Sequence, residues 1–191
     1  MYSKRFEDAV RTMLEAHGLN RRKAGPGFQA THVLSVATIV SDYGFDEDVL
    51  IAAVLHDTLE DTRLPVEVIE SRFGSRVLAI VQDVTEPPKQ KNWRERKLAY
   101  IEGLRKSQRH ESFAVAAADK IHNLSNMTQG LLEHGGSYMD VFSASPEEMI
   151  WYHETVLDTL RATWNHRILF EQRSRLDSFI DAIRRTGRAT K

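Results

Sequence analysis

Apolar residues recur at three- and four-residue spacing along almost the whole chain, which is the period of amphipathic α-helices. Only a few short runs are compatible with β-strands. The pattern predicts an all-α protein, with one compact multi-helix domain over residues 1–185 and a frayed, apolar-poor tail over 186–191. The part of that domain that carries recognisable motifs covers about 21–127, and C-terminal helices cover about 146–184.

Helix boundaries follow from capping and breaking residues. The predicted helices cover about 3–16, 28–43, 46–57, 65–72, 75–85, 92–106, 111–127 and 146–166, and a last helix continues to about 184. Glycines and prolines predict a basic loop over 21–27 and a longer irregular segment over 130–145. The first helix is expected to bury one apolar face, made of Phe6, Val10, Met13 and Leu14.

Composition narrows the chemistry that such a domain can perform. The 191 residues carry 26 Lys and Arg against 27 Asp and Glu, so the formal net charge is −1 and no nucleic acid is implied as a partner. The chain has no cysteine, which excludes disulfides, thiolate catalysis and cysteine-bound metals. Any metal must therefore be held by histidine, carboxylate or carbonyl groups.

The chain shows no pattern typical of a membrane-inserted or exported segment. Its longest uninterrupted apolar run, Val49 to Leu55, has seven residues, whereas a membrane span needs about 20. The first residues carry charges on both sides of Phe6 and lack the apolar core of a secretory signal. We therefore expect a cytoplasmic protein without a membrane partner.

Residues 56–62 place one histidine and three acids close together, directly after the most apolar helix of the chain. On a helix, His56 and Glu60 would share one face, and Asp57 and Asp61 would share the adjacent face. Carboxylates so close repel one another, and burying them is costly unless a cation, most simply a divalent metal, neutralises them. The alternative is a solvated acidic helix end. The apolar helix before it favours a position inside the domain.

Two further residues are candidates for the same site. Asp119 ends the apolar run 113–118, and an aspartate in that place is expected to be paired or metal-bound. A buried salt bridge with Lys120 is the alternative. His32 lies on the amphipathic helix that starts near residue 28. A single histidine there is more often a packed, hydrogen-bonded side chain than a metal ligand.

Together these residues resemble the HD superfamily of metal-dependent phosphohydrolases, in which a histidine, a later His-Asp pair and a distant aspartate lie on helices. The resemblance extends to the Rel/SpoT-type and small single-domain (p)ppGpp hydrolases, and it implies the all-α, multi-helix HD-domain fold. It is carried by Arg22-Lys23-Ala24-Gly25, His32, His56-Asp57-Thr58-Leu59-Glu60-Asp61-Thr62, Phe73-Gly74, Val84-Thr85, Arg96-Lys97 and Ala118-Asp119-Lys120-Ile121-His122-Asn123-Leu124. The elements around His56 and Asp119 are specific to the family.

The resemblance implies a divalent metal cofactor, with Mn²⁺ as the expected ion. The implied ligands are His32, His56, Asp57 and Asp119. Mixed nitrogen and oxygen ligands also suit Fe, Co or Zn, so the ligand types alone leave the metal open. Glu60 and Asp61 match the catalytic acids that the family uses near the attacking water, where a carboxylate can orient the water or take its proton.

The resemblance also implies contacts to a small phosphorylated nucleotide substrate. Arg22 and Lys23 would lie at the mouth of the site, where an arginine can clamp a phosphate through two hydrogen bonds. Asn123 and Lys97 would be further substrate contacts. The alternatives are a solvated basic turn for Arg22 and Lys23, a satisfied backbone group for Asn123 and an exposed helix face for Lys97.

The implied activity is (p)ppGpp 3′-pyrophosphohydrolysis. The alternatives are an HD-type nucleotide phosphatase or pyrophosphatase with another nucleotide substrate, and a non-catalytic nucleotide-binding regulator. The chain departs from the family before His32, where the usual Pro-Tyr pair is absent and Phe28 is the nearest aromatic residue, either a replacement for that tyrosine or part of the core. A homo-oligomer is compatible with the sequence.

Overall fold

The computed structural model describes residues 3–25, 27–87 and 92–188. Its helices within these ranges are α1 (Lys4–His17), α2 (Gln29–Asp42), α3 (Glu47–Leu55), α4 (Thr58–Asp61), α5 (Val66–Phe73), α6 (Ser75–Asp83), α7 (Trp93–Ser107), α8 (His110–His134), α9 (Pro146–Arg161) and α10 (Ile168–Arg188), with a 3-10 turn over Gly136–Val141. The described residues contain no β-strand, which confirms the all-α prediction. None of the helices in these ranges combines the length and the apolar character needed to cross a membrane.

Local side-chain chemistry starts several helices where the sequence predicts a start. Asp46 accepts a hydrogen bond from the backbone N–H of Val49 at the beginning of α3. Ser145 and Glu148 form a reciprocal capping box at α9, with Pro146 in the first turn. Such caps satisfy backbone N–H groups that would otherwise lack a partner.

Helix α8 runs through the middle of the molecule. Its 25 residues pack against α2, α3, α6, α7, α9 and α10. The run from Phe113 to Ala118 is almost completely buried, as its apolar composition predicts. Burial of this run places Asp119, the next residue, inside the domain.

The other segments with predicted site residues pack beside α8. α2 buries its predicted apolar face, made of Val33, Val36, Ala37 and Val40. α3 buries every residue from Ile51 to Leu55. Because α2 packs against both α3 and α8, the start of α2, the end of α3 and the middle of α8 meet in one place.

The predicted end of α8 is wrong. The helix continues to His134, although glycines predicted irregular structure from residue 130 onward. Gly130 remains helical, and the ring of Tyr138 packs directly against it. The ring lies so close that any side chain at position 130 would overlap it, so only glycine fits there. Close packing therefore outweighs the low helix propensity of glycine, which costs about 1 kcal/mol relative to alanine.

Two smaller predictions also differ from the structure. Leu14 was expected in the core but is 46% exposed, because α1 turns Ala9, Met13 and His17 inward. The C-terminal helices end at Arg161 and at Arg188, not at about 166 and 184. The predicted break at Pro88 and the end of the predicted frayed tail, residues 189–191, lie outside the described residues.

Candidate active site

A cavity of about 660 Å³ lies where the end of α1 and helices α2, α3, α4, α7, α8 and α9 come together. It is lined by every residue that the sequence singled out for metal binding, catalysis or substrate binding. These are Arg22, Lys23, His32, His56, Asp57, Glu60, Asp61, Lys97, Asp119 and Asn123. Residues that are distant in the chain therefore share one site in space.

The predicted metal ligands form a compact cluster inside this cavity. The Nε2 atom of His32, near the start of α2, is 3.2 Å from Asp119 Oδ1 and 3.5 Å from Asp57 Oδ2. The Nε2 atom of His56 is 3.1 Å from Asp57 Oδ1 and 3.9 Å from Asp119 Oδ1. Two imidazole nitrogens and two carboxylates thus face one small volume, called the metal cluster below.

The donor atoms of the metal cluster fit a divalent transition-metal ion. Single ligand atoms of His32, His56 and Asp119 all lie within 4.8 Å of one another, and Asp57 adds its carboxylate to the same two rings. The Nδ1 atom of His56 is 2.8 Å from the carbonyl oxygen of Ala53, so a neutral ring carries its proton on Nδ1 and its lone pair on Nε2. That Nε2 has no hydrogen-bond partner in the described part of the chain. A carbonyl behind the ring and a free lone pair in front are typical of a metal-binding histidine.

The metal cluster remains charged although it is buried. Burial opposes ionisation of Asp119, but Lys120 and His32 hold the pKa of this carboxyl below its ordinary value. Burial lowers the pKa of His32, because a charged ring would lose its hydration there. Burial would also lower the pKa of His56, yet the Asp57 carboxylate raises it to about 9. Without an ion the ring therefore holds a proton on Nε2, which a bound metal ion would displace. Ionised carboxylates next to a neutral His32 make a site that favours a cation.

Glu60 and Asp61 lie on α4, the single helical turn that follows the metal cluster. Burial, followed by the negative charges of Glu86 and Asp57, raises the pKa of Glu60 to about 7. A carboxyl group with a pKa near neutrality can accept a proton from a reacting water and return it. The carboxyl group whose pKa is raised in this way lies one turn from the predicted metal ligands.

The loop between α1 and α2 carries the predicted basic rim of the cavity. Arg21 and Phe28 form an isolated β-bridge, and the guanidinium carbon of Arg21 lies 4.8 Å from the centroid of the Phe28 ring. Phe28 is half-buried beneath that arginine and is not among the residues that pack against the core, and Lys23 is exposed at the mouth. The loop is thus held partly by a cation–π contact.

Hydrogen bonds join this loop to the metal cluster. The guanidinium group of Arg22 donates to Asn123 Oδ1 at 2.6 Å, and the amide group of Asn123 donates to Asp119 Oδ1 at 2.5 Å. Gln29, the first residue of α2, donates to Asp57 Oδ2. Two predicted substrate contacts, Arg22 and Asn123, therefore hydrogen-bond to each other directly beside Asp119, a predicted metal ligand.

A second part of the cavity wall combines buried ammonium groups with aromatic rings. This inner wall consists of Trp93, Lys97, Tyr100, Lys120, Tyr152 and His153. Lys97 forms an ion pair with Glu86, and its Nζ is 4.7 Å from the centroid of the Tyr152 ring. Lys120 Nζ is 2.6 Å from Asp119 Oδ2. Only 16% of the Lys97 side chain is exposed, so this lysine does not lie on the exposed helix face that was the alternative to a substrate contact. Burial lowers its pKa.

Sequence reasoning missed several side chains that line the cavity. Tyr152 and His153 come from α9, a segment without a recognisable motif, and both are buried. His17, at the end of α1, is 2% exposed, and neither of its ring nitrogens has a hydrogen-bond partner among the described residues. The only available signal for His17 was its position directly before the basic loop. Buried polar atoms without a protein partner are satisfied by water, by an ion or by a bound polar ligand.

Comparison with known proteins gives a family model and several named relatives. A family model described as an HD domain matches residues 9–140, which include the whole metal cluster. A guanosine-3′,5′-bis(diphosphate) 3′-pyrophosphohydrolase of Aquifex aeolicus (strain VF5) is 40% identical over 85 residues, which is 44% of this chain and 12% of that protein. The chain therefore spans only a small part of this relative.

Other relatives match over most of their length. The guanosine-3′,5′-bis(diphosphate) 3′-pyrophosphohydrolase MESH1 of Drosophila melanogaster is 35% identical over 128 residues, which is 65% of this chain and 70% of the relative. A solved structure described as a metazoan ortholog of SpoT that hydrolyses ppGpp has a TM-score of 0.75 and 28% sequence identity. That likeness covers 93% of this chain and 96% of the solved one, so it includes the helices beyond the family match.

Proposed function

Because this chain belongs to the HD-domain family, we propose that it is a metal-dependent phosphohydrolase that removes the 3′ diphosphate from guanosine-3′,5′-bis(diphosphate) or its pentaphosphate form. The metal cluster beside two further acids, in a cavity that also presents buried cations, is the observation that carries this proposal. A regulator that only bound a nucleotide would not need acids placed to activate water.

The proposed metal ligands are His32, His56, Asp57 and Asp119, and Mn²⁺ is the proposed ion. A divalent ion held there supplies a Lewis acid that polarises a phosphoryl oxygen and makes a nearby water more acidic. The protein's own contribution is orientation. The Ala53 carbonyl fixes the His56 ring, and Gln29 and Asn123 each donate a hydrogen bond to one carboxylate of the cluster.

Glu60 and Asp61 are proposed as the catalytic acids. With a pKa of about 7, Glu60 accepts a proton from the attacking water close to neutral pH. Asp61, its neighbour on the same short helix, orients that water. The water oxygen bonds to the phosphorus next to the ribose, and the bond from that phosphorus to the ribose 3′ oxygen breaks. The ribose oxygen takes up a proton, and pyrophosphate leaves.

Four polar side chains are proposed to bind the substrate. Arg22 and Asn123 release each other when a phosphate or ribose oxygen takes their place, so neither is left unpaired in the free protein. Lys23 at the mouth attracts the phosphorylated ligand. Lys97 in the inner wall exchanges its partner Glu86 for a phosphate oxygen. Replacing one ion pair by another limits the desolvation cost of binding.

A second candidate is a phosphatase or pyrophosphatase of the same family with another nucleotide substrate. The packing of Phe28 beneath Arg21 favours it, because the aromatic residue nearest to the missing tyrosine is engaged with an arginine. A guanine base would then need another stacking partner.

We also propose that residues 1–185 act as one domain, on a small nucleotide in the cytoplasm. Helix α9 supports this, because it packs against α7 and α8 and supplies Tyr152 and His153 to the cavity.

The test is a substrate panel with purified protein. We would incubate the full chain with Mn²⁺ and, separately, ppGpp, pppGpp, nucleoside triphosphates and nucleoside monophosphates, and identify the products. We expect pyrophosphate and GDP from ppGpp, loss of turnover with EDTA and recovery on adding Mn²⁺. Turnover of another nucleotide but not of ppGpp would support the second candidate. Absence of metal-dependent turnover with every compound would contradict both enzymatic assignments.

A further inference from the structure

His122 is a half-buried histidine on α8 that the proposed mechanism does not use. Its Nδ1 atom lies 2.8 Å from Nδ1 of His32, and the two ring centroids are 4.7 Å apart. Two nitrogens at this distance share one proton, so one ring must donate while the other accepts. The contact therefore links the tautomer of a proposed metal ligand to the tautomer of its neighbour.

The tautomer of His32 also depends on whether an ion is bound at Nε2, on the opposite side of the ring. Its Nε2 atom is 3.2 Å from Asp119 Oδ1. When no ion lies between these atoms, a proton on Nε2 donates to the carboxylate, and Nδ1 of His32 is the acceptor. When an ion takes the place of that proton, a neutral ring must carry its proton on Nδ1. Nδ1 of His32 thus accepts in one state and donates in the other.

Few side chains can be the partner in both states. A carboxylate or a backbone carbonyl, the usual support behind a metal-binding histidine, only accepts, and a lysine or arginine only donates. A neutral imidazole has one donor nitrogen and one acceptor nitrogen and can interchange them. The contrast lies in the same cluster, since the Ala53 carbonyl restricts His56 to one tautomer.

We propose that His122 is a positioning residue that lets His32 change tautomer as the metal ion binds. Without the ion, Nδ1–H of His122 donates to Nδ1 of His32. With the ion, Nδ1–H of His32 donates to Nδ1 of His122, whose own proton then lies on Nε2. Each ring keeps one proton, so this pair releases none. The amide nitrogen of Asn126 is 3.4 Å from Nδ1 and 3.5 Å from Nε2 of His122, and rotation of that amide can present its donor or its acceptor to Nε2.

This inference rests on the proposed metal site but not on the proposed substrate. Long-range ¹H–¹⁵N NMR of the full chain reads each histidine tautomer directly, in metal-free protein and with diamagnetic Zn²⁺. We expect His32 to carry its proton on Nε2 without metal and on Nδ1 with Zn²⁺, and His122 to change in the opposite sense. An unchanged His32 tautomer would overturn the proposal. Because no nucleotide is present, the result is independent of the substrate panel.

Variants test the same inference through metal affinity, measured as the Kd for Zn²⁺. His122→Leu removes both the donor and the acceptor, and we expect its Kd to increase about 10- to 100-fold, the usual effect of losing a partner behind a metal ligand. His122→Asn keeps a donor and an acceptor in one amide, and its Kd should stay within a few-fold of the wild-type value.

His110→Leu is the matched control, because it removes an exposed histidine at the first position of the same helix. Its Kd should equal that of the wild type. A wild-type Kd in His122→Leu, or an Asn variant as weak as the Leu variant, would contradict the assignment. If the Leu variant fails to fold, the Asn variant and the wild-type NMR spectra still decide the question.

Discussion

The metal cluster and the inner wall are two buried, charged parts of one cavity, and their charges are balanced in opposite ways. In the metal cluster, the Nε2 atom of His56 has no hydrogen-bond partner in the described residues, while two carboxylates approach it. In the inner wall, the ammonium group of Lys97 already lies between Glu86 and an aromatic ring. The metal cluster is complete only with a cation, whereas the ammonium groups of Lys97 and Lys120 in the inner wall are already paired with carboxylates.

Asp119 belongs to both regions and shows how the difference arises. Its Oδ1 atom faces His32, whereas its Oδ2 atom pairs with Lys120 at 2.6 Å. The sequence had left a salt bridge and a metal ligand as alternatives for this residue, and the two oxygens are placed for both roles. Loss of one ligand of the metal cluster should therefore abolish turnover, because the cluster can no longer hold its ion. Loss of one charge from the inner wall should reduce turnover only partly, because its ion pairs are exchangeable.

The largest effect is expected from Asp57→Ala. Loss of a metal-cluster carboxylate should reduce turnover to the metal-free background, a larger loss than the about 10- to 100-fold caused by removing a partner outside the ligand set. Steady-state kinetics with Mn²⁺ measures it. Asp48→Ala is the control, because Asp48 lies on α3 but pairs with Arg76 near the surface. Full activity in Asp57→Ala would show that the metal cluster is assigned wrongly.

Glu60→Gln should have the next largest effect. Removing the proton acceptor should lower kcat by about 10²- to 10⁴-fold, while the metal cluster and its affinity remain intact. Measuring kcat together with the Kd for Mn²⁺ separates proton transfer from metal binding. A parallel loss of metal affinity would mean that Glu60 belongs to the ligand set and not to the water chemistry.

Lys97→Met tests the inner wall and should give a graded loss. A hydrogen bond to a charged group contributes about 1.5–3 kcal/mol, so we expect kcat/KM to fall about 10- to 150-fold with Mn²⁺ binding unchanged. Lys106→Met, at an exposed position in the last turn of α7, is the matched control. If Lys97→Met lost all activity, as expected for the Asp57 variant, the proposed difference between the metal cluster and the inner wall would be wrong.

The smallest effect is expected from chelation, measured as the melting temperature of the protein. An ion at 100 times its Kd stabilises the native state by about 2.7 kcal/mol, which corresponds to about 5–10 °C for a domain of this size. EDTA should therefore lower Tm in the wild type and in Lys97→Met but not in Asp57→Ala. If EDTA lowered the Tm of Asp57→Ala as much as that of the wild type, the stabilising ion would be bound outside the metal cluster.

Most of the fold could be predicted because helix signals are local. Apolar periodicity located the helices, and caps such as Asp46 and Ser145 started them at the expected residues. The prediction failed at Gly130, where glycine predicted a break. The ring of Tyr138 lies against this glycine, and no pattern within one helix reveals that contact.

The residues of the candidate site also fall into two groups, those that a sequence pattern reveals and those that only tertiary packing reveals. The histidine and the three acids in residues 56–61 were recognisable because their spacing in the chain is fixed by the chemistry they share. Tyr152 and His153 carried no such pattern, because an aromatic or histidine side chain that lines a cavity occupies the same helical positions as one in the core. Only the packing of α9 against α7 and α8 distinguishes the two cases.

The sequence by itself determined the helices, the absence of sulfur ligands and hence the imidazole and carboxylate character of the site. Those properties depend on residue type and on spacing within one helix. Only the tertiary structure decided that Asp119 divides its two oxygens between His32 and Lys120, and that His122 contacts the His32 ring. The two histidines are 90 residues apart in the chain, so the contact depends on how α2 packs against α8.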